Sequence, residues 1–184
     1  MEPTAGSLLI ASPALLDPNF ASAVILLLDA DADGALGVVI NRPSQVLVGD
    51  VLEPWAEVAT TPEVMFIGGP VALDSALAVA RLRDAEDQPV GWRPAFDDVG
   101  MVDLDSPVEL VDGSLREMRL YAGYAGWGAG QLEDEIAEGS WYVVPGAPGD
   151  LFREHTDDLR RELLRRQPGS LAWVSTRPAD PLMN

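Results

Sequence analysis

The chain has 184 residues, 47% of them hydrophobic, with thirty acidic residues against twelve basic ones and a formal charge of −18. A mean hydropathy of +0.08 fits neither a disordered segment nor a membrane protein, and so acidic a surface repels nucleic-acid phosphates and anionic lipid. The chain has no cysteine, no lysine and one histidine, His155, which removes disulfides, thiolate nucleophiles, Cys-based zinc sites and a lysine-bearing phosphate loop. Carboxylates, hydroxyls, arginine and backbone amides remain.

In chain order, Ser7 to Ala11 reads as a short buried strand closed by Ser12-Pro13. The apolar run Phe20 to Leu28 and the run Leu36 to Ile40 flank Asp29-Ala30-Asp31-Ala32-Asp33-Gly34. They predict a β-hairpin with a loop longer than two residues, ended by Asn41-Arg42-Pro43. Gly49 to Trp55 predicts one or two helical turns, and Val64 to Ile67 a strand stopped by Gly68-Gly69-Pro70. Ser75 to Leu82 fits helix or strand equally by periodicity. Asp84 to Asp98, with two prolines and five acids, reads as a surface loop, and Val99 to Leu104 as a strand.

Glu117 to Ala122 predicts a strand entering a glycine-rich bend, residues 123–130. A helix from Gln131 to Glu138 follows, with Gly139 as its stop, then a strand from Trp141 to Val144. The last helix starts after Thr156 as N-cap, carries Leu159, Leu163 and Leu164 as its apolar stripe and ends at Pro168-Gly169. Leu171 to Val174 reads as a final edge strand. About seven strands and a few helices, not in strict alternation, predict one α+β domain over residues 1–184 with a mixed sheet.

Asp29, Asp31, Asp33 and Gly34 match the first half of a calcium loop, but Ile40 stands where the bidentate glutamate belongs, so no metal is expected there. His155 lies among charged residues at a helix start, with no nucleophile elbow to pair with it, and reads as a surface residue. In the glycine-rich segment Tyr124, Trp127, Gln131 and Glu135 mix aromatic surface with polar groups. Either this segment is a tight bend filling the core, or it builds a binding site. Its glycine spacing is not that of a dinucleotide fingerprint, and Glu133, Asp134 and Glu135 would repel a phosphate.

The run Gly123-Tyr-Ala-Gly-Trp-Gly-Ala-Gly-Gln-Leu-Glu-Asp-Glu-Ile136, followed by Ser140-Trp141, closely resembles the signature of the YqgE/AlgH family of bacterial proteins. So do Gly6 to Ala11, Asp17-Pro-Asn-Phe20, Gly37 to Pro43 and Gly68 to Val71. Ala129 stands where the family usually has proline, and the cysteine of some members is absent. The resemblance implies a mixed sheet curled into a partly open barrel with helices packed outside, in a cytoplasmic bacterial protein. It implies no reaction. Some members carry a transcriptional-regulator label, but this chain shows no helix-turn-helix pattern, and the five arginines from Arg153 to Arg166 are offset by four acids.

The leading expectation is a non-enzymatic binding or regulatory module. Its groove would be lined by Asn41, Arg42, Gly68, Gly69, Tyr124, Trp127, Gln131 and Glu135, with Trp127 partly exposed and Arg42 anchoring a ligand carboxylate. If Trp127 is buried instead, the search moves to the loop Asp84 to Asp98. The alternative is a carboxylate-dependent hydrolase or isomerase with Glu133 or Glu135 as acid/base and Arg42 stabilising an oxyanion. Expected partners are a protein, peptide or small molecule, with no cofactor, no metal, no direct nucleic-acid or membrane contact, and a monomer or weak dimer. With no basic residue before Arg42 and no apolar stretch of spanning length, the expected location is the cytoplasm.

Overall fold

A computed structural model describes residues 1–176. The chain runs β1 (Ser7–Ala11), β2 (Val24–Asp31), β3 (Gly34–Val39), β4 (Pro43–Leu47), α1 (Val48–Val51), β5 (Val64–Ile67), β6 (Val71–Leu82), β7 (Trp92–Phe96) and β8 (Val99–Val102). It continues through β9 (Leu115–Gly128), α2 (Gln131–Ala137), β10 (Trp141–Pro145), α3 (Pro148–Leu151), α4 (Leu159–Arg165) and α5 (Leu171–Val174). The strands form one strongly curled sheet, a half-barrel, in the order β10-β1-β2-β3-β9-β6-β8-β7, with β5 also joined to β9 and β4 to β5. Every pair is antiparallel except β5 with β9, where Phe66 lies opposite Tyr121. The protein is α+β with a mixed sheet, as the resemblance implied.

The apolar runs are continuous rather than alternating because the central strands are buried on both faces. Leu8, Ile10, Leu26, Val38, Phe66, Val79 and Tyr121 share one face of the sheet, and Leu159, Leu163 and Leu164 of α4 pack into the same cluster. The intervening residues Leu9, Ile25, Leu27 and Val39 face the other way and pack with Leu132 of α2. Farther along that outer face, Ala78, Ala80, Met118 and Leu120 pack with Val48 of α1 and Trp55 of the adjoining 3-10 turn, Glu53–Trp55. Each fully buried leucine contributes about 1.5–3 kcal/mol relative to an exposed one. Thus α1 and α2 sit outside the curl as expected, whereas α4, followed by α5, fills the inner face.

Two arginines tie that inner filling to the sheet. Arg119 is almost wholly buried; its Nη1 and Nη2 donate to the carbonyls of Arg153 and Thr61, both at 2.9 Å, and its guanidinium lies 4.3 Å above the Phe66 ring. Arg160 donates from Nε and Nη2 to the Ala11 carbonyl at 3.2 and 2.7 Å.

Several expectations are corrected. The hairpin turns on two residues, Ala32-Asp33, because β2 continues to Asp31 opposite Gly34 after a bulge at Leu28. Asp31 Oδ1 accepts the Asp33 amide at 2.7 Å across that turn. Asn41-Arg42-Pro43 leads directly into β4, which the sequence reading missed. Ser75 to Leu82 is strand, and the loop from Asp84 to Asp98 contains β7, whose Pro94 is tolerated at the sheet edge, where no ladder donor is required. Asp158 rather than Thr156 precedes the first residue of α4, and Leu171–Val174 is a helical turn rather than a strand.

Candidate functional site

The glycine-rich segment is not a bend. Residues 123–128 are the second half of β9, paired with β3 through Ala125–Gly37, Trp127–Ala35 and Gly128–Gly34. The connection from β5 to β6 passes against β9 at this point, backbone against backbone. A Cβ on Gly69 (φ +158°) would stand 2.2 Å from the Tyr124 carbonyl, and one on Gly123 (φ +72°) would stand 2.5 Å from the Gly69 oxygen. Only glycine permits that approach. Gly68 is fixed in the same joint, its amide donating to Ala122 O at 2.9 Å and its carbonyl accepting from Val39 at 2.8 Å.

Past the joint, β9 delivers Trp127 against α2. The Trp127 and Trp141 indoles both donate to Glu135 Oε2, at 2.9 and 2.8 Å. Gln131 Nε2 donates to Glu135 Oε1 at 3.1 Å, while Gln131 Oε1 accepts the Gly128 amide at 3.1 Å. Phe20 stacks on Trp127 at 6.4 Å and meets Trp141 edge-on at 5.7 Å. The Phe20 loop is itself clamped by the predicted pair. Asn41 Oδ1 accepts Val24 N–H at 2.9 Å and its Nδ2 donates to Ser22 O at 3.0 Å, while Arg42 donates to the carbonyls of Asn19 and Ala21. Burial pulls the Arg42 pKa down and Asp17 pushes it back up.

Thus the candidate residues do belong to one connected neighbourhood, but as a closed joint rather than an open groove. Trp127 is 7% exposed, against the expectation that it opens to solvent. Tyr124 is half-buried and packs against the inner core. The acid/base assignment meets the same difficulty: both Glu135 oxygens are engaged, the Arg42 guanidinium is held by two carbonyls, and Glu133 is exposed.

An open cleft lies elsewhere, at the mouth of the half-barrel. One lobe, about 820 Å³, is lined by Leu52, Ser75, Leu77, Arg93, Met101 and Asp103, among others. A second, about 320 Å³, runs between Leu28, Asp29 and Leu36 on the hairpin and Arg93, Pro94 and Met101. Arg93 and Met101 belong to both. The cleft exists because β8 ends at Val102 while β6 continues in the other direction to Val71, so residues 71–77 run on without β8 alongside. The sequence signal for Arg93 was slight: Trp92 and Phe96 alternating with smaller residues inside a stretch whose prolines and acids suggest a loop.

The AlgH-like family model matches residues 8–172. The chain belongs to the AlgH-like family. It is 55% identical over 182 residues to a UPF0301 protein of Streptomyces coelicolor, covering 97% of this chain and 94% of that one. It is 44% identical over 179 residues to a UPF0301 protein of Mycobacterium tuberculosis, covering 96% and 88%. A crystal structure of a protein from Corynebacterium diphtheriae superimposes with a TM-score of 0.89 at 32% identity, covering 96% of this chain and 94% of that one. The solution structure of the AlgH protein from Pseudomonas aeruginosa gives 0.70 at 28% identity, with 97% of each chain covered.

Among the described residues, no three or more His, Asp or Glu side chains gather as a metal site, and no helix is long and apolar enough to cross a membrane. His155 is exposed.

Proposed function

We propose that this AlgH-like protein is a cytoplasmic, non-enzymatic binding and regulatory module. Its ligand is a small apolar zwitterion, an amino acid or the end of a short peptide, and its site is the cleft around Arg93. This reading keeps the binding role expected from the sequence and moves it from the 123–130 segment to the mouth of the half-barrel. Arg93 carries it. Arg42, Arg81, Arg119, Arg153, Arg160 and Arg166 are tied to carbonyls or carboxylates, whereas Arg93, Arg116 and Arg165 make no hydrogen bond or ion pair among the described residues, and of these three only Arg93 lines the cleft. A planar guanidinium presents paired donors to a carboxylate. Leu28, Leu36, Leu77 and Met101 supply apolar walls, and Asp29, Asp103 and Asp105 at the rim favour a cationic group on the same ligand. A polyanion such as duplex DNA meets only repulsion from a chain at −18.

The test is calorimetric titration with leucyl dipeptides and their C-terminal amides. Saturable binding is expected for the free carboxylates, weakened by about tenfold or more in Arg93→Ala, with the amides weaker by a similar factor. Equal binding of acid and amide, affinity unchanged in Arg93→Ala, or no binding at millimolar peptide overturns the assignment.

A further inference from the structure

We infer that the face formed by β4, α1 and the end of β5 docks an extended segment of a partner protein, rich in aliphatic and basic side chains, which adds as a strand along the open edge of β4. This surface adjoins the Arg93 cleft at Leu52 but shares none of its lining residues, and the inference does not depend on that reading.

The apolar side is unusual in its concentration. Val46, Leu47, Val51 and Ile67 are each between 36% and 55% exposed, four of the eleven exposed large hydrophobics among the described residues. The elements that carry them are joined. Leu47 pairs with Val64, Pro43 with Phe66, and the Ile67 amide donates to Arg42 O at 2.9 Å. From Ile67 the chain crosses β9 through Gly68-Gly69-Pro70, so Val71 and Leu73 of β6 lie beyond β9 and outside this face. Scattered surface leucines need no explanation; four on β4, the helix that follows it and the strand it pairs with do.

The backbone adds a second observation. Among the described residues β4 pairs with β5 on one edge and with no strand on the other, and four of its five residues are exposed. Proteins commonly defend such an edge with lysine, an inward charge or repeated proline. Here the chain has no lysine, and Pro43 stands only at the start of the strand.

Charge selects the occupant. No basic residue occurs between Arg42 and Arg81, while Asp50, Glu53, Glu57, Glu63 and Asp74 are all exposed. A second copy of this chain would bring the same acids to a two-fold contact and be repelled. Nucleic acid and anionic lipid are repelled for the same reason. A strand alternating aliphatic and basic residues satisfies all three features. Its backbone completes the β4 ladder, its apolar side chains cover the exposed aliphatic patch, and its cations meet the acidic surround.

The experiment titrates a short blocked peptide alternating valine and arginine into the isotope-labelled full chain, with a valine/glutamate peptide as counterpart, read by amide shifts and hydrogen exchange. Expected are shifts and new exchange protection over residues 44–51, no binding of the glutamate peptide, and loss of affinity by about tenfold or more in Val46→Asp/Val51→Asp. A second variant, Asp50→Arg/Glu53→Arg, leaves every aliphatic contact in place and is expected to reverse the preference between the two peptides. Shifts centred on the Arg93 cleft, equal binding of both peptides, an unchanged preference in the charge-reversed variant, or no binding at millimolar peptide overturns the inference.

Discussion

The joint at Gly69 and Gly123, with its tryptophan cluster, and the mouth around Arg93 belong to the same sheet but treat their polar groups in opposite ways. In the joint, Asn41, Arg42, Gln131, Glu135 and two indole N–H groups are satisfied within the chain, and Phe20 covers the aromatic surface. At the mouth, a guanidinium stands beside four apolar side chains with no partner among the described residues. The joint holds the residues that look distinctive in the sequence; the mouth holds an ordinary arginine in an ordinary-looking stretch. Unusual composition here marks where backbones must touch and buried donors must be met, which is a demand of folding rather than of recognition.

Substitutions can break this contrast. The largest effect is expected at the joint itself: Gly69→Ala puts a methyl group into the Tyr124 carbonyl and costs about 3 kcal/mol through backbone strain and overpacking, whereas Gly128→Ala, with no atom near its Cβ, changes stability by less than about 0.5 kcal/mol. Urea unfolding of both variants is the measurement, and equal midpoints would contradict the crossing. Next in size is Glu135→Ala, which strands two indole donors and is expected to cost about 2 kcal/mol. Its tryptophan emission should change more than in Glu133→Ala, whose carboxylate is exposed. Arg93→Ala sharpens the contrast from the other side, with a thermal midpoint close to that of the parent and a loss confined to ligand binding.

The smallest effect concerns pH. The hydrogen bond from Arg153 at 2.5 Å, together with its charge, holds the Glu162 carboxyl below the usual carboxylate range. A group whose folded pKa is depressed stabilises the fold above its unfolded pKa and loses that contribution as pH falls through the folded value. Glu162→Gln should therefore flatten the acid limb of the stability profile slightly and leave the neutral region near parent behaviour. A steeper acid limb would contradict the pairing.

How far the sequence could be read follows the same physics. β1, β5 and β10 are legible because each is a short apolar run between turn residues. The second half of β9 was not, since glycines disfavour strands locally; what holds it extended is its pairing with β3, whose Gly34 and Gly37 are equally close to it or to its neighbours. Pro94 concealed β7, and Leu171–Val174 is too short for its period to be read. The candidate site was legible as a neighbourhood, because Asn41, Arg42, Trp127, Gln131 and Glu135 do join through Phe20, but not as a closed one. Nothing local to Trp127 announces that Phe20, more than a hundred residues earlier, will cover it. The Arg93 cleft was harder still, because its walls come from Leu28, Leu36, Leu77 and Met101, which only the curl of the sheet brings together.

The central position of β9 bears on the order in which the molecule can be assembled. β3, β5 and β6 each have one edge that only β9 completes. As the chain leaves the ribosome, three pieces come first: β1 with β2 and β3, then β4 with β5, then β6 with β7 and β8. None of them can join another through the sheet until residues 115–128 have been synthesised. Once β6 is made the nascent protein thus carries three unfilled strand edges until β9 follows, and the strand that unites them enters at the centre rather than at the rim. Long closures of this kind fold slowly, and open edges are where a nascent chain aggregates, so the interval before β9 appears is when this protein has most need of a chaperone.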